Sequence, residues 1–359
     1  MIIRKTIAIT TVVVYLLNVT VEVICIQQQQ QAQRINSLFP ILFESPRVLV
    51  VRKPHGVGHH DESESSAGDG EEDSIIPGVL RLLRKQRHQQ AEEEGERLYG
   101  VHRLDKVTSG ILVLAKDAST ASALSDYFAR GEIQKVYFGL SAKKPQKKKQ
   151  GLVQGGMTRS RNKSWKLVRK TKDGKTQNGN FAKTRFFTAG INVGSVDDGG
   201  DNAHSNAGVT NNKVKTVAMF RPYTGKTHQL RVAAKAMGIP LLGDPIYKDG
   251  GGRKNDDSDD VVTTTRTMLH ASGIHIPEFL DQDEINVWCP PTFFYDDDDD
   301  DNAIIPQANG DVMNTTTNNN NNKALLADSL DLAVEKLMTK NCDVPGILDT
   351  MTMMMQQEQ

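Results

Sequence analysis

Gly100-Val101-His102-Arg103-Leu104-Asp105-Lys106-Val107-Thr108-Ser109-Gly110 runs directly into Ile111-Leu112-Val113-Leu114-Ala115. Five consecutive apolar residues, bounded by glycine before and Lys116-Asp117 after, predict a buried strand entered from a charged loop. A carboxylate at such an edge, two residues after Arg103, can be held by neighbouring charge and aimed into a cleft. Asp105 is therefore the candidate catalytic group; the plain alternative is a turn residue, a common place for a loop aspartate. Protein kinase loops also carry His-Arg before an aspartate, but there the aspartate follows at once. Neither Asp-Phe-Gly nor a glycine-rich loop accompanies it here, so kinase chemistry is excluded.

Downstream of this stretch, Asp117 caps a helix carrying Ala121, Leu124 and Phe128 at helical spacing, and Gly131 ends it. In Gln134-Lys135-Val136-Tyr137-Phe138-Gly139-Leu140 the alternation of Val136, Phe138 and Leu140 predicts a half-buried strand, with Lys135 and Tyr137 together on its other face. Upstream, Arg47-Val48-Leu49-Val50-Val51-Arg52 reads as a strand stopped by Lys53-Pro54-His55-Gly56, and Pro77 opens a helix through Val79, Leu80, Leu82 and Leu83. Further on, the strand Lys215 to Phe220 leads into Arg221-Pro222-Tyr223-Thr224-Gly225-Lys226-Thr227-His228-Gln229-Leu230-Arg231. Gly225-Lys226-Thr227 invites a phosphate-loop reading, but that loop needs a glycine five residues earlier, where Phe220 stands. If Thr227 begins a helix, His228 and Arg231 share one face and reach the same side of a cleft. Arg231 is then the expected bidentate partner of Asp105.

The string His102-Arg103-Leu104-Asp105 with Thr108-Ser109-Gly110 resembles the active-site motif of the RluA-type family of RNA pseudouridine synthases. The segment Thr224 to Arg231 resembles the same family's Thr-Gly-Arg-Thr-His-Gln-Ile-Arg motif, with Lys226 in place of the commoner arginine and Ala233 where a histidine is usual. Gly238-Ile239-Pro240-Leu241-Leu242-Gly243-Asp244-Pro245-Ile246-Tyr247 and the strand around Leu269-His270-Ala271 follow in the family's order, and Lys53-Pro54-His55-Gly56 resembles its opening turn. The resemblance implies an α+β fold, with a mixed, largely antiparallel sheet, a central cleft and flanking helices. It implies isomerisation of uridine in rRNA or tRNA to pseudouridine, with no cofactor and no metal. Asp105, Tyr137 and Arg231 would be catalytic; Arg103, His102, His228, Thr108 and Lys135 would bind substrate, and His270 would be structural. A non-catalytic RNA-binding module on the same fold is the alternative, disfavoured because a dead copy has no chemical reason to keep Asp105, Tyr137 and Arg231 together.

The catalytic domain is expected over residues 41 to 295, interrupted by polar insertions, with a leader and glutamine-rich spacer over 1 to 40. The formal net charge is zero, but residues 143 to 175 carry thirteen lysines and arginines against one acid, Asp173. This basic arm, containing Trp165, matches RNA phosphates with a ring for stacking or anchoring; a solvated charged loop is the alternative. His59-His60-Asp61 in a polar insertion is read as solvated rather than as a metal site. Cys25, Cys289 and Cys342 are odd in number and far apart, which supports neither a disulfide framework nor a metal site. The apolar run Ile7 to Leu17 after Arg4-Lys5 is too short to span a bilayer, so a stable membrane anchor is not expected. An RNA substrate is incompatible with secretion, so the leader points to import into a plastid or mitochondrion, with the cytosol as alternative. RNA is the expected partner and a monomer the expected state. Residues 296 to 359, with their aspartate and asparagine runs, are expected to be a largely disordered tail. Within it, Ala324 to Lys340 is an isolated or docking helix bearing Leu326, Leu330, Val334 and Leu337 on one stripe.

Overall fold

Aliphatic runs spaced along the chain assemble into one eleven-stranded sheet. The computed structural model describes residues 39–59, 61–63, 75–90, 97–144, 148–160, 164–168, 180–191, 216–247, 266–291, 293 and 319–357. The leader, the His60 position and most insertions named above lie outside them. In chain order β1 (Ile41–Glu44) and β2 (Val48–Lys53) form a hairpin, and β3 (Glu62–Ser63) pairs with β4 (Ile75–Ile76) as a separate ribbon. Helix α1 (Val79–Gln90) and β5 (Tyr99–Gly100) precede the Asp105 loop. After that loop come β6 (Ser109–Ala115), α2 (Ala118–Arg130) and β7 (Gln134–Ser141). They are followed by β8 (Gln150–Arg159), β9 (Trp165–Val168), β10 (Phe181–Gly190), β11 (Thr216–Pro222) and helix α3 (Gln229–Ala236). The order ends with β12 (Leu269–Ile276), β13 (Ile285–Trp288), α4 (Asn319–Asn341) and α5 (Ile347–Gln357).

The strand order is β1-β2-β6-β12-β7-β11-β10-β8-β9, with β5 added to β6 and β13 to β12. Among the described pairs only β6 and β12 run parallel, so the sheet is mixed and largely antiparallel as expected. β2, β6 and β12 are buried along almost their whole length, the pattern of strands covered on both faces. Helix α2 starts and stops where local chemistry dictates. The Asp117 carboxylate accepts the Thr120 amide at 2.8 Å, and Gly131, at φ 75°, closes the C-terminus through the Phe128 carbonyl.

The parallel β6–β12 contact explains the glycine that ends the quoted loop. Gly110 has φ 106°, and a β-carbon there would lie 2.3 Å from the Ala271 carbonyl oxygen and 2.6 Å from its nitrogen. Backbone on the partner strand cannot yield as a flexible side chain would. Gly110→Ala is expected to cost at least about 2 kcal/mol, read as a lowered urea midpoint with unchanged slope; an unchanged midpoint would contradict this account.

Two expectations are corrected. The basic arm is not simply a loop: its described part is the β8–β9 hairpin, in which Met157, Trp165 and Leu167 pack with Val232 and Tyr247 behind the cleft. Nor does the boundary at 295 separate a tail from the core. Leu330, Val334, Leu337 and Met338 of α4 and Ile347 and Met351 of α5 are buried against Val136, Phe138, Leu140, Val217 and Met219. By the alternation of β7 this is the face opposite Tyr137. The stripe read from the sequence is thus the docking face of a helix that covers the back of the sheet, and the ion pair of Arg221 with Asp343, between α4 and α5, fastens it.

Candidate active site

The Asp105 loop crosses the end of β6 at the middle of the sheet, and several local devices hold it there. The Thr108 amide donates to the Asp105 carbonyl at 2.9 Å, closing a turn, and the Gly56 amide donates to the Lys106 carbonyl at 2.8 Å. Lys53 is fully buried and its Nζ donates to the carbonyls of Pro54 and Val57 at 2.7 and 2.8 Å and, more loosely, of Lys106 at 3.4 Å. Burial pulls the Lys53 ammonium down to about 7, while the Asp105 charge raises it; three carbonyls around three donor positions fit the charged form. His102 lines the larger cleft, on the side where substrate binding is expected of it. Its Nε2 accepts the Val113 amide at 2.9 Å and its ring stacks on Phe128 at 4.5 Å. Burial, with Lys135 and His59 adding to it, drives its pKa down to about 3, so it is a neutral support for the loop.

Asp105 sits on the floor of a cleft of about 780 Å³ and also borders a second hollow of about 350 Å³, with Arg103, His228 and Arg231 common to both. Its side chain is 17% exposed, enough for a substrate to touch. Tyr137 and Lys135 of β7 line the larger cleft from the sheet side, as the alternation of β7 requires. Burial and the nearby Asp105 charge raise the Tyr137 pKa well above its ordinary value, so the phenol stays protonated. Burial lowers Lys135 to about 8, and its ammonium lies 5.3 Å from the centre of the Phe128 ring. Arg103 is exposed on the rim, and Thr108 is buried at the cleft wall.

Arg231 comes from the first turn of α3 but is not the bidentate partner of Asp105. Its Nη1 stands 3.5 Å from Asp105 Oδ2, whereas its Nε and Nη2 each donate at 2.7 Å to the two carboxylate oxygens of Asp244. In the sequence only its place in the Gly238 to Tyr247 motif marks Asp244. The physical reason for the correction is geometric: Asp244 follows the turn at Gly243 (φ 66°) and faces the guanidinium edge, while Asp105 meets only its tip. Asp244 Oδ1 also accepts the amides of Ile246 and Tyr247, both at 2.9 Å. Burial opposes the charge on Asp244, but these bonds and the Arg231 charge outweigh it and hold its pKa below the ordinary carboxylate value. Burial likewise opposes the charge of Arg231, and Asp244 and Asp105 more than compensate.

His228 does not lie inside the helix as the sequence suggested. It is the residue before α3, in the left-handed conformation at φ 57° and ψ 18°, which a non-glycine residue adopts at a cost. That turn swings its ring over the cleft, with Nε2 4.0 Å from Asp105 Oδ2 and Nδ1 2.9 Å from the Tyr247 hydroxyl. Gln229 keeps the preceding loop in place by bonding Thr224, Thr184, the Lys183 carbonyl and the Lys226 amide. Tyr247, too, is marked in the sequence only by that motif; its spacing three residues after Asp244 brings its ring beside the Arg231 guanidinium. Among the described residues no group of three or more His, Cys, Asp or Glu side chains could hold a metal ion.

Residues 47–236 match the family model for RNA pseudouridylate synthase. The chain belongs to the RNA pseudouridylate synthase family. These are isomerases that act on RNA, and the RluA-type character expected from the motifs agrees with the relatives. A Haemophilus influenzae protein named as an uncharacterized RNA pseudouridine synthase is 33% identical over 252 residues, covering 70% of this chain and 87% of that protein. The ribosomal large subunit pseudouridine synthase C of Rickettsia bellii is 28% identical over 207 residues, 58% of this chain and 56% of that protein. A rice protein named RNA pseudouridine synthase 2, chloroplastic, is 33% identical over 147 residues, 41% of this chain and 28% of that protein. Human RNA pseudouridylate synthase domain containing 4 has the same fold. Its TM-score is 0.52 at 20% identity, over 75% of this chain and 94% of that one.

Proposed function

We propose that the protein isomerises specific uridines of rRNA or tRNA to pseudouridine, with Asp105 as the reacting carboxylate. The observation that carries this reading is the placement of Asp105. It stands partly exposed on the cleft floor, beside Arg231 at 3.5 Å and facing Tyr137, with Asp244, the other carboxylate nearby, fully engaged by Arg231. Hydrolysis by a paired acid and base would need a second free carboxylate. A single one suits a reaction that begins and ends on the same nucleotide: the N1–C1′ bond breaks, the uracil turns while bound, and C5 joins C1′, with the C5 proton leaving to solvent and N1 taking up a proton from solvent. Asp105 acts on the sugar, by attack or by taking a ribose proton, and the protonated Tyr137 packs on the uracil.

A stacked uridine cannot reach this floor, so the base must be flipped out. Arg103, exposed on the rim beside Asp105, is suited to fill the vacated stack. Arg103→Ala is expected to lower kcat/KM about tenfold and to reduce chemical reactivity of the target base in RNA footprinting; unchanged extrusion would sink this role. Lys143, Lys144, Lys148, Lys149, Arg159 and Lys166, in and before the β8–β9 hairpin, would carry the RNA backbone. For location we propose an organelle, on the basic and apolar leader of residues 1 to 26 and the chloroplastic name of the rice relative.

The test is tritium release from C5-tritiated uridine in rRNA and tRNA that lack modification, using the full-length chain. Release from one pool and not the other identifies the substrate class. RNA binding with no release from either pool would count against the reading.

A further inference from the structure

Tyr247 is buried, and its hydroxyl makes two hydrogen bonds: it accepts the Trp165 amide at 2.8 Å and meets His228 Nδ1 at 2.9 Å. The first bond settles the second. A backbone amide can only donate, so the phenolic oxygen is the acceptor there, and its own proton needs a separate acceptor. Among the described residues His228 Nδ1 is the one within reach. If Nδ1 carried a proton instead, the phenol proton would be buried without a partner, a loss of the kind folded proteins avoid. Nδ1 therefore accepts, and the neutral ring carries its proton on Nε2. Nε2 is the atom that faces the cleft, 4.0 Å from Asp105 Oδ2.

We infer that Tyr247 is a positioning residue that fixes His228 as an uncharged imidazole protonated on Nε2, presenting a hydrogen-bond donor to an oxygen of the substrate seated beside Asp105. The inference rests on the function proposed above for the identity of that oxygen, which would belong to the flipped uridine. At 4.0 Å the N–H is too far to bond Asp105 itself, yet an oxygen set to one side lies within about 2.9 Å of Nε2. A donor aimed at a site where charge develops helps most when it is fixed beforehand, and three features fix this one. The left-handed backbone at His228 sets the ring direction; the Tyr247 ring meets the imidazole edge to face at 5.6 Å; and Trp165, from the basic hairpin, holds the hydroxyl. The same tyrosine ring lies 5.1 Å from the Arg231 guanidinium carbon, so one side chain orients two of the basic groups that border Asp105. Around His228 the charged groups are Asp105, Arg231, Asp244 and Arg103. Burial, Arg231 and Arg103 work against an imidazolium and the two aspartates favour it, with a net lowering of its pKa.

The decisive measurement is a long-range proton–nitrogen correlation spectrum at neutral pH on full-length protein labelled in its nine histidines, with His228 assigned by its absence from the His228→Gln spectrum. The expected result is a protonated Nε2 and an unprotonated Nδ1; an Nδ1–H tautomer or an imidazolium would overturn the inference. In Tyr247→Phe the His228 nitrogens should shift to a mixture of tautomers, and kcat should fall about tenfold with KM for RNA within about twofold. Unmoved His228 signals in that variant would also overturn it. A second pair of variants covers the case in which Tyr247→Phe fails to fold. Glutamine places its amide donor near the Nε2 position and asparagine near Nδ1, so His228→Gln should exceed His228→Asn in kcat about tenfold, and equal rates would refute the assignment. Wild-type protein silent on RNA would count against the proposed function alone, because the spectrum reads the tautomer without turnover.

Discussion

Full-length protein carrying Asp105→Asn is expected to release tritium at less than roughly one-thousandth of the wild-type rate, while still folding and still binding RNA. Asparagine keeps the shape but can neither attack C1′ nor take a ribose proton. The fold tolerates the change because the loop is held by backbone: the Asp105 carbonyl receives the Thr108 amide whatever the side chain, and Lys53 and Gly56 secure the neighbouring Lys106 carbonyl. Arg231 is not orphaned either, since its bidentate partner is Asp244 and its contact with Asp105 is 3.5 Å long. The urea midpoint should therefore stay within the equivalent of about 1 kcal/mol. Removing a negative charge from a cleft that receives phosphates should leave RNA affinity unchanged or slightly tighter. Turnover near the wild-type rate would remove Asp105 from the chemistry, and simultaneous loss of folding would show that the loop depends on its carboxylate.

What was legible in the sequence was mostly what short stretches determine. The Asp117 cap and Gly131 stop of α2 needed only local hydrogen bonds, and the alternation of β7 was enough to place Tyr137 and Lys135 together on the cleft side. Asp105 and Arg231 were found through motifs, yet their relation was misjudged because a better acceptor for the guanidinium, Asp244, arrives from a turn that only the folded chain brings underneath it. The left-handed His228 was invisible for a similar reason. Its conformation is intrinsically unfavourable, and nothing local announces that tertiary packing imposes it. The β8–β9 hairpin was hidden by its lysines and by Gly155, where a β-carbon would meet the Val168 carbonyl oxygen at 2.6 Å. Close strand approach there requires the very residue that weakens a strand pattern. On α4 the stripe residues Leu330, Val334 and Leu337 are buried, while the side chain of Leu326 lies outside the described residues; their partner surface, Val136, Phe138 and Leu140, lies far back in the chain.

Asp244→Asn is expected to damage both stability and activity, and the atoms say why. Oδ1 of Asp244 accepts three bonds, from Arg231 Nη2 and from the Ile246 and Tyr247 amides, which an asparagine carbonyl could keep. Oδ2 accepts the Arg231 Nε–H at 2.7 Å, and there an asparagine would present a second donor to a donor. Arg231 and Asp244 are each 2% exposed, so the change leaves a buried guanidinium facing a repelling group with Asp105 as its nearest carboxylate. Breaking a buried pair on one side costs about 3–5 kcal/mol, read as a lowered urea midpoint. A guanidinium released from Asp244 would turn toward Asp105 and bind it tightly, taking up the oxygens the substrate needs, so tritium release should fall at least about a hundredfold even in the folded fraction. Acid should mimic the substitution in the wild type. The Asp244 pKa is depressed in the folded state, so its contribution is complete above the ordinary value of 3.8 and is lost as the pH falls below that toward the folded value. Asp244→Asn should lack this part of the acid dependence, its stability falling less steeply below pH 3.8 than the wild type's. Parallel acid profiles for the two proteins would mean that the charge of Asp244 is not what holds Arg231 in place.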